Sequence, residues 1–251
     1  MPNRWIKVEI CPLCGIKDSY VFHSSVTRPD FEVEYAGSTA PAGIFVQYVQ
    51  CRACGLVYQN PRMDDETLDK FYSSGDYRKF VTRHSSGNED FDNKERGDAM
   101  SLFGTLRSLK ITSHLDIGAS RGYLLGLTKA KFGCRTVAVE PNMEWLEERP
   151  DIVRPALYEV VWKFDLITCM HVLEHVSDFR KMLGQIRERL TDDGLAIVEV
   201  PTGPKALRLP HLTIFDTWTL YRACSEAELV IESIAVNPHI RVHLQRQHDK
   251  I

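Results

Sequence analysis

Beyond residue 110 the chain is punctuated by short apolar runs: HLDIG (114–118), RTVAVE (135–140), FDLITCM (164–170) and LAIVEV (195–200). Their apolar character is continuous rather than alternating, which predicts strands buried on both faces, as in a parallel sheet. Amphipathic stretches between them predict helices over about 99–109, 122–132 and 171–190. VIESIAV (230–236) and IRVHLQR (240–246), separated by Asn237-Pro238, predict a closing hairpin. This succession predicts an α/β, doubly wound, mostly parallel sheet whose ligands bind at the carboxyl ends of its strands.

The N-terminal region has a different pattern. FEVEY (31–35) and IFVQYVQ (44–50) alternate around the turn-forming GSTAPAG, so residues 1–63 predict a small β-rich unit. Asn60-Pro61 closes that unit, and MDDETLDKFY starts a polar helix. From Gly75 to Gly97 the chain is rich in charge, glycine and serine, so residues 64–98 predict a helix and a mobile connection or lid. As a lid, this stretch is expected to become ordered with cofactor, with Phe71, Tyr72 and Tyr77 folding over it; as a linker, it is not. Residues 99–251 remain as the main domain.

Composition narrows the class. With 43% hydrophobic and 26% charged residues, the 251-residue chain reads as globular rather than disordered. A net charge of -3 offers no basic field for a phosphate backbone, so no nucleic-acid partner is expected. No apolar run approaches the roughly 18 residues needed to span a bilayer. The start, MPNRWIKVEICPLCG, lacks the apolar core of a signal peptide, and a cytoplasmic protein is expected. Disulfides rarely persist in that compartment, so the seven cysteines need another explanation.

Four of them form two like-spaced pairs, Cys11/Cys14 in CPLCG and Cys51/Cys54 in CRACG. Both read as knuckles in which a following glycine permits a tight bend around a metal-bound thiolate, and four thiolates suit a structural, tetrahedral zinc ion. The alternative is four reduced thiols in a core.

LDIGASRGYLL (115–125) places an acid and two glycines where a buried strand turns into a helix. Gly118 and Gly122 let the main chain approach a ligand closely, and the helix start offers unpaired N–H groups. Glu140 ends the next strand, 22 residues after Gly118, where an acid accepts hydrogen bonds from ribose hydroxyls. A dinucleotide fingerprint beginning at Gly118 requires glycine at positions 120 and 123, which hold Ser120 and Tyr123.

The series of D-x-G-x-x-x-G, a strand-end acid, FDLITCMHVLEHVSDF, DDGLAIVEVP and HLTIFDTWTL resembles class I S-adenosylmethionine-dependent methyltransferases, over about Phe71 to the end. The resemblance implies a seven-stranded Rossmann-like sheet with a C-terminal antiparallel hairpin, and S-adenosylmethionine as cofactor. It also implies a cofactor site of Asp116, Gly118, Ala119, Ser120 and Gly122, with Glu140 at the ribose and Met170 and His171 beside the cofactor after the fourth strand. Two departures stand out: Ser120 replaces the usual central glycine, and the segment RPDIVRPALYEVVWKFD (149–165) lacks the acid that often meets adenine. A similar cysteine-paired module precedes the methyltransferase domain in some sugar C-methyltransferases and related natural-product enzymes, which implies a small-molecule acceptor.

His171, Glu174 and His175 also spell H-x-x-E-H, the inverted zinc-peptidase motif. No third ligand is evident for it, and the same letters open the helix after the fourth strand in many methyltransferases. If an oxygen or carbon acceptor must be deprotonated, His175, His211 and Tyr72 are the candidates, because their segments are expected to face the pocket. Two rival readings are a binding or scaffold protein on a decayed methyltransferase fold and a nicotinamide-dependent oxidoreductase.

Overall fold

The computed structural model describes residues 5–26, 33–35, 38–40, 45–83, 88–106, 110–236 and 238–247. Parts of four expected elements lie outside them: 31–32, 36–37 and 41–44 around the first turn, 84–87 of the polar connection, 107–109 at an expected helix end, and Asn237.

The N-terminal region contributes β1 (Trp5–Ile6), β2 (Ser19–Val26), β3 (Val33–Tyr35), β4 (Ser38–Ala40), β5 (Phe45–Cys51), β6 (Val57–Gln59) and β7 (Arg62–Met63). Three helices follow, α1 (Asp65–Ser73), α2 (Asp76–Arg83) and α3 (Asn88–Thr105). The polar start of α1 is capped as its sequence demands, with the Asp64 carboxylate accepting from the Thr67 N–H at 2.9 Å. The stretch expected as an irregular connection is therefore largely helical. The first half of α3, 88–98, carries no apolar stripe and is favoured instead by acids in its first turn, Glu89 and Asp90, which complement the helix dipole. Its second half is the helix expected from residue 99, and packs Ala99, Leu102 and Phe103 into a buried cluster.

The main domain runs β8 (Ser113–Ile117), α4 (Tyr123–Phe132), β9 (Arg135–Val139), β10 (Ile152–Arg154), β11 (Phe164–Met170), α5 (Phe179–Arg189), β12 (Leu190–Pro201), β13 (Thr213–Ile214), α6 (Thr217–Glu226), β14 (Leu229–Val236) and β15 (His239–Arg246). Seven of these strands form one sheet in the order β10-β9-β8-β11-β12-β15-β14. β10, β9, β8, β11 and β12 are mutually parallel, and β15 pairs antiparallel with both β12 and β14. This is the expected fold class. Every residue of β8 is buried, as a central strand covered on both faces requires. The sheet order turns at β8 and β11, whose carboxyl ends therefore border the crevice in which such sheets bind ligands.

The helix expected from His171 begins later. A short 3₁₀ turn covers Leu173–His175, and α5 starts only at Phe179 with Asp178 as its cap. His171 has φ +55°, a left-handed conformation incompatible with a helix start.

β13 belongs to a second sheet, β13-β6-β5-β2, and so stitches the N-terminal unit to the segment just before α6. One buried cluster spans both units, from Cys11, Leu13, Leu56 and Tyr58 to Phe179, Phe215, Leu220 and Cys224.

Candidate functional site

Asp116, Gly118, Ala119, Ser120, Gly122 and Glu140 converge where β8 and β9 end. A side chain at Gly118 is both strained and crowded: at φ +72°, a Cβ there meets Val172 Cγ2 at 2.3 Å, so Val172 would have to move. Gly122, at φ +79°, starts α4 in the same left-handed region. Between them Ser120 is held at φ +47°. That conformation costs a non-glycine residue roughly 1–3 kcal/mol, and two bonds offset it. The Ser120 N–H donates to Glu140 Oε2 at 3.0 Å, and its hydroxyl donates to Glu95 Oε1 at 2.8 Å. The Asn142 N–H donates to the other Glu140 oxygen, also at 3.0 Å. Burial raises Glu140, and these two N–H groups oppose the shift. Asp116 accepts from the Thr168 hydroxyl at 2.6 Å, and burial pushes its carboxyl up to about 7.

Met170 ends β11 beside this turn, and His171 follows it. His171 Nε2 lies 3.1 Å from Glu199 Oε1, whose partner oxygen accepts from Arg241 Nε at 2.6 Å. The His171 ring meets His239 edge-on at 4.5 Å. Burial alone lowers the His171 pKa, but pairing with Glu174 and Glu199 outweighs it and carries the imidazole up to about 9.

Tyr72, His175 and His211 come together although they derive from α1, the 3₁₀ turn after β11 and the loop before β13. His175 Nδ1 lies 2.9 Å from both the Tyr72 hydroxyl and the Pro210 carbonyl. His211 Nδ1 donates to the Ala206 carbonyl at 2.7 Å, and the two imidazoles cross edge-on at 4.8 Å. Burial lowers the pKa of both rings and takes His211 down to about 3. Tyr77 packs on Tyr72 and His175, with ring centroids 5.0 and 5.5 Å away, while burial raises the Tyr72 phenol well above its usual range.

Sequence reasoning missed the groups that cover the turn. Beyond Glu95, α3 supplies Asp92, which pairs with Arg121 at 3.0 Å and with Arg78 of α2, while Arg121 also reaches Glu147 at 2.9 Å. Arg78 lies over the Phe91 ring at 4.6 Å. Glu199, His239 and Arg241 were missed as well: Glu199 is an acid within the apolar run of β12, and His239 and Arg241 fall on the polar positions of the alternating strand β15.

Cys11, Cys14, Cys51 and Cys54 gather so that their sulfurs lie within 4.8 Å of one another. Cys11 Sγ is 3.5 Å from Cys54 Sγ, and Cys14 Sγ is 3.6 Å from Cys51 Sγ. The two knuckles repeat one geometry. Gly15 N–H donates to the Cys11 carbonyl and Gly55 N–H to the Cys51 carbonyl, both at 2.9 Å, and both glycines have positive φ.

A family described as "Methyltransferase domain" matches residues 73–234. No curated protein matches by sequence. Among solved structures, an S-adenosylmethionine-dependent methyltransferase from Clostridium acetobutylicum is 14% identical, with a TM-score of 0.52 over 68% of this chain and 99% of that one. The magnesium protoporphyrin IX methyltransferase of Synechocystis, solved with bound S-adenosylhomocysteine (SAH), is 12% identical, with a TM-score of 0.56 over 73% of this chain and 100% of that one. Mitomycin 7-O-methyltransferase is 18% identical, with a TM-score of 0.52 over 66% of this chain and 60% of that one. At these identities the likeness is one of fold. With its family match covering more than half of the sequence, the chain belongs to the methyltransferase-domain family.

Proposed function

We propose that the protein is an S-adenosylmethionine-dependent methyltransferase acting on a small-molecule acceptor, with a structural zinc ion at its four cysteines. The observation that carries the methyl-transfer reading is the glycine-flanked turn after β8, clasped to the strand-end acid Glu140 in a sheet of this order. In this reading residues 1–63 form the zinc unit, 64–98 cover the site and 99–251 bind the cofactor.

S-adenosylmethionine supplies a methyl group on a sulfonium, which an acceptor takes by in-line displacement. The chain therefore acts chiefly by positioning, which contributes effective molarities of about 10⁵ to 10⁸ M in well-oriented reactions. Asp116, Gly118, Ala119, Ser120 and Gly122 border the methionine part of the cofactor, and Met170 and His171 lie beside it. Glu140 holds the ribose hydroxyls, since each carboxylate oxygen keeps a second lone pair beyond its backbone bond. On the acceptor side, Tyr72, His175 and His211 provide polar groups in an aromatic wall. The Nδ1 atoms of both imidazoles face backbone carbonyls, so Nε2 is the nitrogen that takes a proton from an acceptor hydroxyl or carbon acid. The small-molecule class draws on the fold's likeness to enzymes named for mitomycin and magnesium protoporphyrin IX.

The zinc assignment rests on spacing. Four thiolates at Zn–S distances of about 2.3 Å lie roughly 3.8 Å apart, close to the 3.5 and 3.6 Å seen here and far from a bonded pair at about 2.05 Å. All four positions are filled by protein, so the ion stabilises the fold and takes no part in methyl transfer.

Isothermal titration of the full chain with S-adenosylmethionine, SAH and NAD tests the reading. Binding of the first two without NAD is expected. Heat only with NAD selects an oxidoreductase, and heat with none of the three selects a scaffold protein.

A further inference from the structure

We propose that Glu174, His175 and His211 form a second metal site, one that binds a divalent transition-metal ion through one carboxylate and two imidazoles. Their ligand atoms lie within 4.8 Å of one another, and all three residues are buried. The site is separate from the four cysteines and differs from them in donor type.

The orientation of the imidazoles points to a ligand. His175 Nδ1 faces the Pro210 carbonyl at 2.9 Å, and His211 Nδ1 faces the Ala206 carbonyl at 2.7 Å. A carbonyl only accepts, so each Nδ1 carries the hydrogen and each Nε2 presents a bare lone pair. Metal-binding histidines are oriented in this way, with the far nitrogen tied to a carbonyl or carboxylate.

Glu174 provides an independent observation. It is 1% exposed, and among the described residues neither carboxylate oxygen has a hydrogen-bond partner. The nearest imidazole nitrogens, His175 Nε2 and His171 Nδ1, stand 3.6 and 3.7 Å from Oε1. His171 lies closer to Glu199, at 3.1 Å, on its other side. The protonated His171 ring, shared with Glu199, stands too far off to bond Glu174, so this buried carboxylate still lacks the direct partner that a bound cation supplies. The 3.6 Å separation from His175 Nε2 also fits two ligands of one ion, since bonds of about 2.1 Å at a tetrahedral centre place donors roughly 3.4 Å apart.

The H-x-x-E-H letters thus mislead about the pairing. With the segment in a 3₁₀ turn rather than a helix, His171 groups with Glu199 and His239, and His211 completes the Glu174–His175 site from the loop before β13. Two nitrogens and a carboxylate oxygen suit zinc, iron(II) or another first-row ion, and leave coordination positions open. An ion there takes the same Nε2 lone pairs that would otherwise accept a proton, so metal content also decides between the two roles. The inference does not depend on methyl transfer, because its readout is metal binding itself.

The test is cobalt(II) titration of the chelator-stripped full chain, followed by desalting, elemental analysis and visible spectroscopy. Cobalt at the cysteines shows thiolate-to-metal charge transfer; cobalt at two imidazoles and a carboxylate shows ligand-field bands without it. We expect an equivalent lacking charge transfer, bound in addition to any thiolate-bound one. Glu174→Gln and His211→Gln should each lose that equivalent while keeping the far-ultraviolet circular dichroism of the parent. Glu174→Gln preserves side-chain shape and remains informative if His211→Gln does not fold. Saturation of the parent with thiolate-type cobalt alone, or retention of the other equivalent in folded Glu174→Gln, overturns the proposal.

Discussion

Glu140 has two tasks at the scale of single residues, and both bear on its replacement. Its carboxylate takes the Ser120 and Asn142 N–H groups, so Glu140→Ala leaves two partly buried donors without their partner besides removing the proposed ribose acceptor. Affinity for S-adenosylmethionine should fall more than tenfold by titration calorimetry, as expected for bonds to a charged acceptor of roughly 1.5–3 kcal/mol. The melting temperature should fall too, since each lost hydrogen bond contributes about 0.5–1.5 kcal/mol. Unchanged affinity in a folded variant would remove Glu140 from the cofactor site. Asp116 carries a pH signature. Burial pushes it up to about 7, so in the pH interval above its unfolded value of about 3.9 the native state keeps a proton that the unfolded chain releases. Native protein then binds more protons, and stability of the cofactor-free protein falls as pH rises from about 4 to about 7, by at most on the order of 4 kcal/mol. Asp116→Asn keeps an acceptor for the Thr168 hydroxyl and should flatten that slope in denaturant unfolding. Equal slopes in parent and variant would rule out a raised Asp116.

Among the elements, α2 and the first half of α3 were the least legible in the sequence, and both reach the turn proposed to hold the cofactor. Glu95 bonds Ser120, and Asp92 and Arg78 close an ion-pair network on Arg121 of the same turn. A ligand entering that turn must therefore meet the two helices. Hydrogen exchange should slow across 76–83 and 88–105 when SAH is added, whereas equal rates with and without ligand would mark them as a fixed cover. Their obscurity has a physical cause. Strand β8 is buried throughout, and most of β9, β11 and the 195–200 part of β12 is buried too, so they read as mainly apolar runs, but the first half of α3 is held through charge contacts that leave no periodic stripe. Likewise, β13 is a two-residue pairing with Tyr58 and Val57, too short to mark a sequence. His211 was found as a candidate, yet its meeting with Glu174 and His175 depends on a loop fixed elsewhere: Tyr48 donates to the Arg208 and His211 carbonyls at 2.6 and 2.7 Å. The 171–190 helix was overextended because VLEHV has helix-compatible letters, while the left-handed backbone of His171 is dictated by its surroundings.

For the whole molecule, the question is whether the cysteine unit is an appendage or part of one folding unit. Cys11, Leu13, Leu56 and Tyr58 share a buried cluster with Phe179, Phe215 and Leu220, and Phe179 meets Phe215 edge-on at 5.1 Å. Backbone bonds cross the same boundary. β13 pairs with β6, Gln59 N–H donates to the Leu212 carbonyl at 2.8 Å, and Arg180 donates to the Leu13 carbonyl at 3.0 Å. An ion that binds the folded cysteine unit therefore stabilises everything coupled to it, by mass action on the native state. Calorimetric unfolding of the metal-loaded chain should give one transition, and chelation, or joint replacement of Cys11 and Cys14 by serine, should move that whole transition to lower temperature. An appendage would behave differently, splitting off an early melting step and leaving the main one in place. Two resolved transitions, with only the smaller responding to chelator, would show that the cysteine unit folds by itself and that the shared cluster does not couple it to the sheet.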